Sequence, residues 1–223
     1  MKIIRTPSPN FGPRKGVAVD MLVLHYTGMP SAAAALARLC DSAAQVSAHY
    51  VIDEDGSVHA LVPEDGRAWH AGLSRWRGEG DVNSRSIGIE LVNPGHEFGY
   101  RAFPEAQIAA LAELAAGVCE RHPIPARNVV GHSDVAPVRK QDPGELFPWP
   151  RLAVAGIGLW PFAGGETAVL PGAKAMLAAY GYDVSDPVAA VTAFQRHFRP
   201  ERVDGVLDAE TAGRLACLVS HCA

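Results

Sequence analysis

His132, Lys140 and Asp142 stand within residues 131–144, Gly-His-Ser-Asp-Val-Ala-Pro-Val-Arg-Lys-Gln-Asp-Pro-Gly. Prolines and glycines break helices and strands, so this stretch reads as a loop that can aim several side chains at one point. A histidine and a carboxylate are two of the ligand types that divalent zinc accepts, and a catalytic zinc commonly takes three protein ligands and leaves a fourth position for water. A third ligand must come from elsewhere. The best candidate is His25, which ends the apolar run Met21-Leu22-Val23-Leu24 and precedes Tyr26-Thr27-Gly28.

Further chemistry-bearing residues lie between these two segments. Glu90 interrupts Ile87-Gly88-Ile89-Glu90-Leu91, and a carboxylate in what reads as a central strand is costly to bury without a partner. Proximity to a metal would supply one. Residues 63–85 read as a loop carrying Trp69, His70, Trp76, Asn83 and Arg85; aromatic faces suit sugar rings, while Arg and Asn suit carboxylate and amide groups. Trp76 fits a core position better than a cleft. His49 alternates onto one face of a strand, where it either borders a substrate groove or packs.

These stretches, in chain order, are Leu22-Val23-Leu24-His25, Val46-Ser47-Ala48-His49-Tyr50-Val51-Ile52, Ala68-Trp69-His70-Ala71-Gly72, Asn83-Ser84-Arg85-Ser86-Ile87-Gly88-Ile89-Glu90-Leu91 and the 131–144 loop. Together they resemble the zinc-dependent N-acetylmuramoyl-L-alanine amidases, which are related to the peptidoglycan recognition proteins. The resemblance covers the first two thirds of the chain and is nearest to bacterial amidases of wall recycling. It implies Zn2+ held by His25, His132 and Asp142, with Glu90 in the catalytic glutamate position as general base and Lys140 near the developing oxyanion. It further implies substrate contacts from Tyr26, His49, Trp69, His70, Asn83 and Arg85. Asp134, in the same loop, is the rival carboxylate, and its short distance from His132 suggests that it orients that ligand.

The implied reaction is hydrolysis of the amide between N-acetylmuramic acid, in its 1,6-anhydro form, and the L-alanine of the stem peptide. Two other readings stand beside it: a wall-active amidase on intact peptidoglycan, and a muropeptide-binding protein that does not cut. Relatives of the last kind lack metal ligands, whereas every ligand position is filled here.

The elements that must position these groups follow from pattern. Residues 21–26 form a continuous apolar run suited to a strand buried on both faces. Ser31 is a natural N-cap for an alanine- and leucine-rich helix ending near Asp41. Residues 46–53 and 57–62 read as a hairpin about Asp55-Gly56. Residues 86–92 alternate as a strand. Ile108, Leu111, Leu114, Ala115 and Val118 repeat at helical spacing between Pro104 and Pro123, and residues 128–131 deliver His132. Residues 1–20 read as an extended arm. The expected fold is α/β, a mixed central sheet flanked by helices, followed by a small three-helix C-terminal domain.

The expected boundaries are 1–160 for the catalytic domain, 161–166 for a linker and 167–223 for the helical domain. In the last, where an apolar pattern starts at Leu170, Phe194-Gln195-Arg196, Asp204-Gly205-Val206-Leu207, Thr211 and Leu215 resemble a peptidoglycan-binding module, with Asp208 where a glycine is usual. The alternative is a helical cap with no ligand of its own.

Composition excludes several classes. The 223 residues carry a net charge of −4, so no global basic field attracts nucleic acid or an anionic membrane. No stretch approaches the roughly 18 apolar residues of a membrane span, and the start lacks a secretory apolar run. The expectation is a cytoplasmic protein, or a periplasmic one had a leader been removed, with a muropeptide or peptidoglycan substrate and no obligate protein partner. Cys40, Cys119, Cys217 and Cys222 show no metal-type spacing and fit a reducing compartment.

Overall fold

The computed structural model describes residues 2–169 and 172–222; Leu170 lies outside them. The elements in order are β1 (Ile3–Arg5), β2 (Phe11–Pro13), β3 (Met21–Tyr26), α1 (Ala32–Cys40), β4 (Tyr50–Ile52), β5 (Val58–Ala60), β6 (Gly66–Ala68), α2 (Val82–Arg85), β7 (Ser86–Leu91) and α3 (Gly95–Phe98). There follow α4 (Glu105–Arg121), β8 (Val129–Gly131), α5 (His132–Val135), α6 (Trp149–Val154), α7 (Ala173–Tyr180), α8 (Pro187–Phe198) and α9 (Ala209–His221). The main sheet has the order β1-β5-β4-β7-β3-β8. Only the β4–β5 pair is antiparallel, closing the expected hairpin, and the mixed character of the sheet arises there.

Strand alternation divides the sheet into two faces. Leu22, Leu24, Ile87, Ile89, Leu91 and Val129 point into a core closed by Ile108, Leu111, Leu114 and Val118 of α4 and by Phe147 and Trp149. Burying each of these large side chains stabilises the fold by roughly 1.5–3 kcal/mol, which explains why a helix of ordinary propensity forms over residues 105–121. On the opposite face Met21, Val23 and Val130 pack with Trp76, Val82 and Val135 and with the C-terminal residues Leu177, Tyr180, Tyr182, Phe194 and Phe198. The C-terminal helices thus complete a core that begins in the sheet.

The first twenty residues are more structured than an extended arm. β1 joins the main sheet parallel to β5, with Ile3 opposite Val58, and β2 pairs antiparallel with β6. Runs of three residues at a sheet edge carry too little periodicity to register as strands. Arg14 is buried, and its guanidinium donates to the carbonyls of Glu64, Asn83, Ser84 and Ser86. Residues 63–85, read as loop, contain β6 and α2, and Trp76 is fully buried as its core reading required.

Local chemistry explains the C-terminal pattern. The Gln195 side chain accepts from the Asp204 and Gly205 amides at 3.0 and 2.7 Å and donates to the Val206 carbonyl at 2.9 Å. Asp208 departs from the usual glycine because it caps α9, accepting from Thr211 N at 3.0 Å. All four cysteines are free.

Candidate active site

Register brings the chemistry together. In the parallel β3–β7 pair His25 stands opposite Glu90, and in the β3–β8 pair Leu24 stands opposite Gly131, so His132 follows at the level of His25. Neighbouring strands lie about 4.8 Å apart, which sets the two histidines and the glutamate side by side at the carboxyl ends of three adjacent strands. That is where ligands bind in open α/β sheets. By alternation they share the face of Met21, Val23, Gly88 and Val130.

Asp142 comes back to this point along the loop after α5, tied by its carbonyl accepting from Ser133 N at 2.9 Å. Nδ1 of His25, Nδ1 of His132 and Oδ2 of Asp142 are each 3.0 Å from the other two. All three residues are buried. They form a group able to hold a metal ion.

Protons on the outer nitrogens decide what this cluster can do. Ser86 Oγ donates to the Val82 carbonyl at 2.6 Å, so it accepts from His70 Nε2 at 3.2 Å. Burial, with His25 nearby, holds His70 well below its ordinary pKa, so the ring is neutral and its Nδ1 is bare. His70 Nδ1 then accepts from His25 Nε2 at 3.0 Å. Burial first and His132 second lower His25 to about 4, so it too is neutral, and its Nδ1 carries a lone pair. His132 Nε2 donates to the Ala71 carbonyl at 3.1 Å, which leaves Nδ1 as the nitrogen turned toward Asp142. Burial opposes ionisation of Asp142, and the charge and Nδ1–H hydrogen bonds that a protonated His132 or His25 offers outweigh it and hold the carboxyl well below the usual range, so in the metal-free site a proton sits among the three groups. A small divalent cation that displaced that proton would find two ring lone pairs and an anion converging on it.

Gly88 makes this relay possible. A Cβ there would lie 2.5 Å from the His70 ring, so only glycine lets the imidazole lie flat over β7 and reach both Ser86 and His25.

Glu90 is set apart. Its Oε2 is enclosed with no hydrogen-bond partner, and burial, reinforced by the Asp142 charge, raises its pKa well above the ordinary carboxyl value. A carboxylate so placed takes up protons readily. It lines a cavity of about 650 Å³ together with Tyr26, Trp69, His132, Lys140 and Asp142. Lys140 is exposed at the rim.

Of the residues expected to contact substrate, Tyr26, Trp69 and His70 reach this cavity. The other three do not. His49 is fully buried; its Nδ1 accepts from Gly88 N at 2.9 Å and its Nε2 lies 3.1 Å from the Gly66 carbonyl, so it ties strands together. Asn83 Oδ1 accepts from His70 N and Ala71 N at 3.1 and 2.8 Å and shapes the backbone beneath the site. Arg85 pairs with Asp20, Nε to Oδ1 at 2.8 Å. Sequence placed Asn83 and Arg85 in a loop and His49 on a strand face where it would border a groove or pack, and each is turned inward by a backbone or acidic partner. Tyr26 Oη and His96 Nδ1 lie 3.0 Å apart, and His96 Nε2 is 3.2 Å from both Glu145 oxygens; His96 lines the cavity and had no motif around it to announce it.

Comparison with known proteins gives the same picture. The family "N-acetylmuramoyl-L-alanine amidase" matches residues 15–145, and the family "Putative peptidoglycan binding domain" matches residues 173–215. N-acetylmuramoyl-L-alanine amidase AmiD of Escherichia coli is 41% identical over 222 residues, covering 86% of this chain and 79% of the relative. The solved complex of that enzyme with anhydro-N-acetylmuramic acid-L-Ala-D-gamma-Glu-L-Lys superposes with a TM-score of 0.81 at 40% identity, covering 94% of this chain and 90% of the other. AmpDh3 from Pseudomonas aeruginosa, in complex with anhydromuramic pentapeptide, superposes with a TM-score of 0.82 at 36% identity over 98% of this chain and 96% of its own. Since the first family match spans more than half of the 223 residues and the relatives cover nearly all of them, the chain belongs to the N-acetylmuramoyl-L-alanine amidase family.

Proposed function

We propose that this protein is a zinc-dependent amidase that cleaves the bond between the lactyl group of 1,6-anhydro-N-acetylmuramic acid and the L-alanine of the stem peptide. The observation that carries the reading is the meeting of three buried metal-ligating side chains, His25, His132 and Asp142, beside Glu90, whose Oε2 has no hydrogen-bond partner. Relatives solved with anhydromuramyl peptides support the substrate class.

When bound, zinc supplies a Lewis acid that polarises a carbonyl and acidifies water. The chain's own residues do the rest. Glu90, its proton affinity raised by burial, accepts the proton of the attacking water at its carboxylate. The water oxygen adds to the lactyl carbonyl carbon, and Lys140 at the rim stabilises the negative charge that gathers on the carbonyl oxygen. Glu90 returns the proton to the alanine nitrogen as the C–N bond breaks, leaving a lactyl carboxylate and a free amine. His70 holds His25 in the tautomer that turns Nδ1 inward, and Asn83 fixes the backbone bearing His70.

A second reading, action on intact peptidoglycan, draws on the peptidoglycan-binding match at residues 173–215. The test is mass spectrometry of products after zinc-loaded and chelator-treated enzyme meet purified anhydromuropeptide and, separately, intact sacculi. Zinc-dependent release of stem peptide from the soluble fragment alone is expected. Release from sacculi as well favours the second reading, and release from neither contradicts both.

A further inference from the structure

Asp134, expected to orient His132, makes its hydrogen bonds to other groups. It is fully buried, and its carboxylate accepts three hydrogen bonds of 2.7 Å. One comes from Gly131 N, the residue before His132; the others come from Tyr182 Oη and His197 Nδ1 of the C-terminal region. The first closes the start of α5 on itself, as an acidic side chain reaching back to the cap amide does. The other two reach across from a separate part of the chain.

The residues that reach across are themselves held rigidly. The His197 ring is stacked between Trp149, centroids 3.6 Å apart, and Phe198, centroids 3.8 Å apart. Its Nε2 is buried with no partner among the described residues, so the ring gives up hydration of one nitrogen for the sake of the other's bond to Asp134. Tyr182 packs edge-on against Trp76 at 5.3 Å. Without these two donors a buried carboxylate would lose most of its compensation, a costly state that the loop would escape only by moving.

Any movement of Asp134 reaches the metal donors by short covalent and hydrogen-bonded steps. Gly131 N, which it fixes, precedes His132; Ser133 N, between them, binds the Asp142 carbonyl at 2.9 Å. We propose that His197 and Tyr182 are positioning residues for the metal centre: through Asp134 the C-terminal helices set the placement of His132 and Asp142. The inference rests on the metal reading above. It gives the C-terminal helices a task in the catalytic domain that is separate from any wall binding.

The test is zinc affinity, measured by competition with a chromophoric chelator, alongside the thermal midpoint of the metal-free protein. His197→Phe keeps the stack and removes the donor, Tyr182→Phe removes one hydroxyl, and His197→Asn restores an N–H near the position of Nδ1. Leu177→Ala is the control: it is buried in the same interface, and its tie to these groups is its backbone carbonyl accepting from Tyr182 N at 3.0 Å, which alanine keeps. His197→Phe is expected to weaken zinc binding about 10- to 100-fold, the usual cost of losing support around a ligand. Tyr182→Phe should weaken it less, and His197→Asn should recover most of the loss. Leu177→Ala should lower the midpoint while leaving zinc affinity at the wild-type value. If His197→Phe and Tyr182→Phe bind zinc like wild type, or if Leu177→Ala weakens it equally, the inference is overturned. Should His197→Phe not fold, Tyr182→Phe and its control decide. A wild-type protein that takes up no zinc overturns the metal reading and this inference with it.

Discussion

The two faces of the central sheet are built from the same strands and do opposite things. On one face Leu22, Leu24, Ile87, Ile89 and Leu91 meet α4 in an apolar core. On the other, Met21 and Val23 lead to His25, Ser86 and Gly88 lead to Glu90, and Val130 leads to His132. Alternation by one residue separates a stabilising surface from a reactive one. The lesson is that rigidity and chemistry are assigned to sides of one backbone, so the site inherits its geometry from a core it does not share.

The largest expected effects come from crossing that divide. Asp142→Ala removes the only anion among the three donors and should abolish zinc uptake, measured by metal content after dialysis, with little harm to folding. Leu111→Ala, on the closed face, should cost about 2–5 kcal/mol in urea unfolding and leave one zinc per chain. Loss of zinc from the leucine variant would break the comparison.

Glu90→Gln should cut kcat about 10²- to 10⁴-fold, the usual worth of a general base. It should also leave the metal-free protein at least as stable in urea unfolding, because it removes a carboxyl whose ionisation burial disfavours and whose Oε2 has no hydrogen-bond partner. A destabilised variant would show that Glu90 has a partner in solution. Gly88→Ala places a Cβ 2.5 Å from the His70 ring and should displace that imidazole, weakening zinc about 10-fold or more by the same chelator competition; unchanged affinity would mean that His70 does not set the His25 tautomer.

The smallest effect is a slope with pH. Burial lowers His25 to about 4, His49 to about 3 and His70 well below its ordinary value, whereas an unfolded histidine titrates near 6.5, approximately. Between those limits the unfolded chain binds protons that the native metal-free chain refuses, so stability rises with pH. Glu90, raised by burial, pulls the other way above its unfolded value, one carboxyl against three imidazoles. The urea midpoint of the metal-free protein should therefore fall as pH drops from about 6.5 toward 4. A flat profile would mean that these rings are hydrated.

Much of this arrangement was legible in the chain. β3, β7 and α4 announce themselves by continuous or periodic apolar residues, and His25, Glu90, His132 and Asp142 stand in segments whose combination resembles one family. What was not legible depends on contacts distant in sequence. β1 and β2 are three-residue strands whose partners alone define them. Arg14 lies in the stretch read as an extended arm and is buried by four carbonyls supplied some 50 to 72 residues later. His49, Asn83 and Arg85 have the right chemistry for a substrate and are turned inward by backbone groups and Asp20. Asp134 was read from its neighbour in sequence, yet its partners Tyr182 and His197 lie 48 and 63 residues away.

The most direct test of the account is hydrolysis in ¹⁸O-enriched water by the zinc-loaded enzyme, with anhydro-N-acetylmuramic acid linked to a stem tripeptide as substrate and both products read by mass spectrometry. The account requires the label in the lactyl carboxylate of the sugar product and an unlabelled tripeptide with a free L-alanine amine. Label in the carboxyl of L-alanine would mean cleavage within the stem, and the amidase mechanism built on His25, His132, Asp142 and Glu90 would be contradicted.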